Sequence, residues 1–198
     1  MKTLLIDYGS GNIHSAAKAL EATGYRVSIS ADPADVTRND LLVLPGQGHF
    51  RQVMENFKAS GFEEGVREHI AKGRPFLGIC VGMQILFDAS AEAPGVPGLG
   101  LIRGGLERFR AGRVPQMGWN TVEFTAPFAA LDGRYFYFVH SYFAPVVEGG
   151  VGITDYDGTR FTAVYGKDNI IAPQFHPEKS GQSGLELLRQ IRGYFGQK

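Results

Sequence analysis

Residues 75–79, Pro75-Phe76-Leu77-Gly78-Ile79, form an unbroken apolar run that ends on the only cysteine of the chain, Cys80, and the apolar stretch 81–87 follows at once. The run reads as a buried strand and the stretch after it as the start of a helix. Glycines stand two residues either side of the sulfur, at Gly78 and Gly82. That Gly-x-Cys-x-Gly layout is the layout of a nucleophile elbow. The turn is too tight for neighbouring Cβ atoms, and strand and helix must approach closely. Such a turn pushes the sulfur out at the carboxyl end of the strand, above first-turn N–H groups that favour a thiolate. A lone cysteine after an apolar strand is also commonly a small buried hydrophobe, and the run alone leaves both readings open.

The rest of the first half supplies the frame that such a strand needs. Residues 4–7, 25–29 and 41–44 read as strands. Residues 12–22 read as a helix with Ile13, Ala16, Ala17 and Leu20 on one face, and two helical segments bracket Ser60-Gly61 and end near Gly73. This alternation predicts a parallel sheet with helices on both faces. From Leu99 onward the pattern changes to short strand-like runs at 106–109, 121–124, 135–139, 151–154 and 161–164, punctuated by Gly and Pro, so antiparallel hairpins are expected to flank the sheet. A last helix over 184–195 would bury Leu185, Leu188, Ile191 and Phe195, and residues 89–98 are the most loop-like stretch. The expected fold class is α/β, a single domain over residues 1–198. Its central sheet is mainly parallel, with helices on both faces and antiparallel strands added in the second half.

Two further segments bear on Cys80. After the strand-like run 169–173 comes Gln174-Phe175-His176-Pro177-Glu178. His176 and Glu178, two apart in extended chain, point to the same side. An imidazole there can take a thiol proton while the carboxylate fixes its tautomer. A surface turn before a helix would use the same residues. The run 41–44 ends in Pro45-Gly46-Gln47-Gly48, whose glycines let backbone N–H groups face a ligand where negative charge develops on an amide carbonyl oxygen. An ordinary strand-to-helix loop accounts for that turn equally well. Only the three segments together supply nucleophile, base and orienter for acyl transfer.

Composition narrows the classes. With 198 residues, 43% of them hydrophobic, the chain can bury one core. Twenty basic residues balance twenty acidic ones, which gives no signal for nucleic acid or another polyanion. A single cysteine excludes an internal disulfide and suits a reducing cytoplasm. The first residues are too short an apolar run for a signal peptide, and no stretch reaches membrane-spanning length, so a soluble cytoplasmic protein is expected. Gly9-x-Gly11 lacks the third glycine of a dinucleotide fingerprint, since His14 stands there, and no Gly-Lys-Ser/Thr loop exists. One Cys and five scattered His give no zinc spacing, so neither metal nor cofactor is expected. His14, His49 and His69 read as surface or helix residues, and His140 lies in an aromatic segment that would usually be core.

The segments 78–84 and 174–180 resemble those of the class I, triad-type glutamine amidotransferases. Ile6-Asp7-Tyr8-Gly9-Ser10-Gly11-Asn12, Gly98-Leu99-Gly100-Leu101-Ile102, Val114-Pro115-Gln116-Met117-Gly118-Trp119-Asn120 and Tyr137-Phe138-Val139-His140-Ser141-Tyr142 are similar to the glutaminase subunits of imidazole glycerol phosphate synthases, over essentially the whole chain. The resemblance implies glutamine hydrolysis by Cys80, His176 and Glu178 through a γ-glutamyl thioester. It places oxyanion donors at the backbone N–H groups of Gln47 and Val81, and substrate contacts at Gly48, Gln84, His140, Ser141 and Tyr142, with His140 as a wall of the site and not a base. It also implies a heterodimer with a (βα)8-barrel cyclase subunit. That subunit receives the ammonia for histidine biosynthesis and switches on the glutaminase, with rotation of the Gly46-Gln47 peptide as a candidate switch. Asn12, Trp119, Tyr137 and Lys179 would lie at or near that interface; core packing is the other reading of Trp119. Against the family pattern, Gln47 replaces a small apolar residue, Ala172-Pro173 a glycine and an apolar residue, and Gln116 a frequent histidine. Pro173 suits an edge or irregular strand end. Other readings are a sister amidotransferase subunit, a peptidase- or esterase-like hydrolase of similar fold, and a non-catalytic binding subunit.

Overall fold

Buried apolar runs decide which strands lie at the centre. In the computed structural model, which describes residues 1–9 and 11–196, every residue of β3 (Leu41–Gly46) and β4 (Phe76–Cys80) is buried. Ser10, part of the first family-like segment, and residues 197–198 lie outside the described residues. Ahead of β3 come β1 (Lys2–Ile6), α1 (Ile13–Ala22) and β2 (Arg26–Ser30). Helices α2 (Phe50–Ala59) and α3 (Phe62–Ala71) join β3 to β4. The strands β2, β1, β3 and β4 pair in parallel in that order, and β13 (Ile170–Pro173) pairs in parallel with β4. Asn12 caps α1, its Oδ1 accepting from the Ser15 N–H at 3.4 Å, and Ala16, Ala17, Ala19 and Leu20 form the buried face while Ile13 is only partly buried.

After Cys80 the chain departs from expectation. The helix α4 (Val81–Gln84) is a single turn, and β5 (Phe87–Ser90) begins inside the stretch read as helix and takes the start of the supposed loop 89–98. Apolar residues alone cannot separate a short helix from a strand. Here β6 (Ile102–Arg108) draws Phe87 and Ser90 into parallel pairing with Ile102 and Leu106. The run 121–124 divides between the end of β7 (Gln116–Thr121) and β8 (Glu123–Phe124). There follow β9 (Tyr135–His140), the unanticipated β10 (Tyr142–Pro145), β11 (Gly150–Tyr156) and β12 (Thr159–Lys167).

The antiparallel strands extend the main sheet instead of merely flanking it. Its order beyond β4 is β13, β12, β10, β6, β5, with β11 on β12 and β8 on β11, while β7 and β9 form a separate ribbon. Pro173 therefore lies in an interior strand, not an edge. It is the last residue of β13, past the β4 pairing that ends at Ile171, and the missing N–H falls at an irregular strand end. The closing helix α5 (Gly181–Gly196) buries Gly184, Leu187, Leu188, Ile191 and Phe195. Leu185, expected inside, is only partly buried because the inward face runs along 184, 188, 191 and 195, and Leu187 lies nearer its middle than Leu185. Among the described residues no helix is long and apolar enough to cross a membrane.

Candidate active site

Cys80 closes β4 with φ +56° and ψ −111°, a left-sided backbone that L-residues adopt rarely. Strain of this kind costs about 1–3 kcal/mol and persists only where its surroundings enforce it. The enforcement is visible in the glycines. A Cβ on Gly82 would lie 2.0 Å from the Leu44 carbonyl oxygen, one on Gly78 would lie 2.7 Å from the Gly82 oxygen, and one on Gly46 would lie 2.4 Å from the Gly82 nitrogen. Strands β3 and β4 and the turn thus pack backbone against backbone, and the sulfur-bearing residue is wedged between them. The elbow read from the sequence is present. Its helix is one turn long, so first-turn N–H groups remain but an extended helix dipole does not.

His176 follows β13 in extended conformation, and Glu178 lies in the 3₁₀ turn Pro177–Lys179. The imidazole Nδ1–H donates to Glu178 Oε1 at 2.7 Å, and both side chains are only 4% exposed. The pair meets through a turn begun by Pro177, not along a strand as the two-residue spacing predicts. Its backbone is anchored: the His176 N–H donates to the Tyr137 carbonyl at 3.0 Å, and Ser180 Oγ donates to the His176 carbonyl at 2.7 Å. Burial alone would lower the imidazole pKa. The hydrogen bond and negative charge of Cys80, joined by those of Glu178, outweigh it and raise the pKa to about 10. At neutral pH the proton therefore sits on His176. Glu178 Oε2 is buried and accepts no hydrogen bond from the described residues.

A cavity of about 300 Å³ opens over the sulfur. Gln47, Gly48, Val81, Gln84, His140, Ser141 and Tyr142 all line it with Cys80 and His176, so every cavity residue named from the sequence is brought together. His140 is buried; its Nδ1–H donates to the Tyr142 carbonyl at 2.8 Å, and its Nε2 lies 2.9 Å from Gln116 Oε1. Burial drives its pKa down to about 4, against the Tyr142 bond and with help from the charge of His176, so it is neutral and fills the part of a wall. The frequent family histidine at position 116 is thus replaced by an amide that still meets His140.

Glu92, Pro115, Val139 and Gln174 were not singled out from the sequence. The first three line the cavity. Glu92 also holds the start of α2, its Oε2 accepting the Phe50 N–H at 2.8 Å, and nothing local in the sequence marks that long-range contact. Gln174 is fully buried beneath Cys80. The period of two from His176 would have placed it on the same side of the strand. His69, read as a surface or helix residue, lies on α3 and is buried with Nε2 2.9 Å from the Pro75 carbonyl, whereas His14 and His49 are exposed.

The four residues assigned to an interface stand outside the cavity. Trp119 is 55% exposed, which rules out core packing, and meets Tyr137 edge-on at 5.9 Å on the outer face of the β7–β9 ribbon. Lys179 sits partly buried in the turn that carries Glu178, and Asn12 is exposed at the start of α1.

The glutamine amidotransferase class-I family matches residues 4–191. An imidazole glycerol phosphate synthase subunit HisH from Thermus thermophilus is 61% identical over 195 residues, covering 98% of each chain. The HisH of Deinococcus radiodurans is 51% identical over 201 residues, covering 96% of this chain and 93% of that protein. A crystal structure of a glutamine amidotransferase superposes with a TM-score of 0.77 at 18% identity over 96% of this chain and 98% of its own, which supports the fold. With its elbow, its His–Glu pair and these full-length relatives, the chain belongs to the class-I glutamine amidotransferase family, among the HisH subunits.

Proposed function

We propose that the whole chain acts as the glutaminase unit of a cytoplasmic imidazole glycerol phosphate synthase in histidine biosynthesis. The Cys80 thiolate attacks the side-chain carbonyl of L-glutamine, His176 protonates the departing ammonia, and a γ-glutamyl thioester remains. Water, activated by the now neutral His176, attacks the thioester and releases glutamate, the sulfur leaving as thiolate. Glu178 holds the imidazole through Nδ1. The observation that carries this reading is the strained Cys80 facing a cavity that it shares with His176, whose proton is retained well above neutral pH. The N–H groups of Gln47 and Val81 are the oxyanion donors in this reading. Gly48, Gln84, Ser141 and Tyr142 hold the substrate, and the Glu92 carboxylate is suited to its ammonium group.

Ammonia passes to a (βα)8-barrel cyclase subunit, which uses it to form imidazole glycerol phosphate and an aminoimidazole carboxamide ribonucleotide. The names of the relatives, each a subunit of that synthase, support this partner. The exposed Trp119, with Tyr137, Lys179 and Asn12, marks the docking side. The Gly46-Gln47 peptide remains the candidate switch; the tight seat of Gly46 on Gly82 couples any rotation there to the elbow.

Glutamate release from glutamine, measured with and without the cyclase subunit carrying its nucleotide ligand, tests both halves. Strong turnover is expected only in the complex. Cys80→Ala should abolish glutamine-dependent synthesis and spare ammonia-dependent synthesis. Loss of both would make the cysteine structural, and equal turnover with and without the partner would discard the pathway.

A further inference from the structure

Beneath the sulfur runs a chain of buried amides whose direction is forced. The Tyr142 carbonyl can only accept, so Gln84 must turn its Nε2 toward it, at 3.1 Å. The same Nε2 reaches Gln174 Oε1 at 3.0 Å. Gln174 then has only its Nε2 left to face Cys80 Sγ, at 3.8 Å. Flipping either amide would set two acceptors or two donors against each other in a place closed to water, since Gln174 is 0% and Gln84 3% exposed. We propose that Gln174 is a positioning residue for the nucleophile, its amide N–H aimed at the Cys80 sulfur by the relay Tyr142 C=O, Gln84, Gln174.

This rests on the reading of Cys80 as nucleophile and adds a second polar partner to it. His176 approaches the sulfur as a titrating acid and base. Gln174 cannot titrate, and so offers the sulfur a donor at every stage. It favours negative charge on sulfur in the resting enzyme. It does so again when water has added to the thioester and the carbon–sulfur bond breaks, returning the electron pair to sulfur. The relay also explains why Gln84, at the end of the one-turn α4, turns its amide nitrogen toward Gln174 while its side chain still lines the cavity.

The chain has one cysteine, so alkylation by iodoacetamide reports on Cys80 alone. The rate is followed against pH by mass spectrometry on the full chain, wild type beside Gln174→Met, which keeps the bulk but has no donor. The midpoint of the profile should move up by about one pH unit, a roughly tenfold loss of reactive thiolate on the rising limb. Gln174→Glu, which offers oxygen in place of N–H, should move it the same way. Gln84→Met should give a smaller shift that vanishes in the Gln174→Met background, as expected of links in one chain. A merely structural Gln174 would lower the melting temperature and leave the midpoint in place, and that result overturns the proposal. If Gln174→Met fails to fold, an unmoved midpoint in Gln84→Met does the same. Glutamine turnover that survives Cys80→Ala would instead refute the nucleophile itself, whatever the alkylation profile shows.

Discussion

His69 gives the sharpest test of how the buried half of the sheet is held. Its ring, 2% exposed on α3, meets the carbonyl of Pro75, the residue just before the strand that carries Cys80. Burial pushes its pKa from 6.5 to about 4; the Pro75 bond works against that and the charge of Arg74 with it. A base whose folded pKa is depressed stays neutral in the folded chain while the unfolded chain takes up a proton below 6.5. Its stabilising effect is therefore complete above 6.5 and is lost as the pH falls toward 4. Between pH 7 and pH 5 the linkage integral amounts to about 2 kcal/mol for this one group. His69→Gln keeps an N–H for the Pro75 carbonyl and removes the titration. Urea unfolding at pH 7, 6 and 5 should then show the variant losing about 2 kcal/mol less than wild type over the interval. The contributions of His140 and His176 occur in both proteins and cancel. Parallel losses in the two proteins would refute the assignment of a neutral, desolvated imidazole at this position.

Two further outcomes follow from the geometry. Gly82→Ala sets a methyl 2.0 Å from the Leu44 carbonyl, a backbone atom that cannot swing away; β3 must shift, and a cost of about 1–3 kcal/mol in urea unfolding is expected, together with loss of glutaminase activity. Trp119→Ala removes a side chain that is 55% exposed; stability should change by no more than about 0.5 kcal/mol, while titration calorimetry against the cyclase subunit should show clear weakening, and unchanged affinity would take Trp119 out of the interface.

What the sequence disclosed and what it hid divide along a physical line. Signals made by neighbours in sequence were legible. The apolar runs of β3 and β4, the glycines beside Cys80 and the His–Glu spacing each reflect sterics acting within a few residues, and three of the segments around the cavity were found from them, while the His140–Tyr142 wall came from the resemblance alone. Features set by distant partners were not. Strand β5 exists because β6 pairs with it, and the Glu92 contact spans 42 residues. Trp119 was ambiguous for the same reason: a tryptophan in a strand has no local mark that tells which face of the ribbon meets the core.

The same division explains why the site is built as it is. Cys80 depends on strain that one segment cannot hold alone, so β3 presses Gly46 onto the turn from one side while the segment after β13 brings Gln174 and His176 from the other. His176 is itself fixed from outside β13, by the Tyr137 carbonyl of β9, and Ser180 closes the link by accepting the Tyr137 N–H at 2.9 Å while donating to the His176 carbonyl. Tyr137 lies against Trp119 on the ribbon's outer face. A partner docking on that face would press on the strand whose backbone holds His176. From the exposed Trp119 to His176 the path is one ring contact with Tyr137, then one backbone hydrogen bond and the two bonds of the Ser180 hydroxyl.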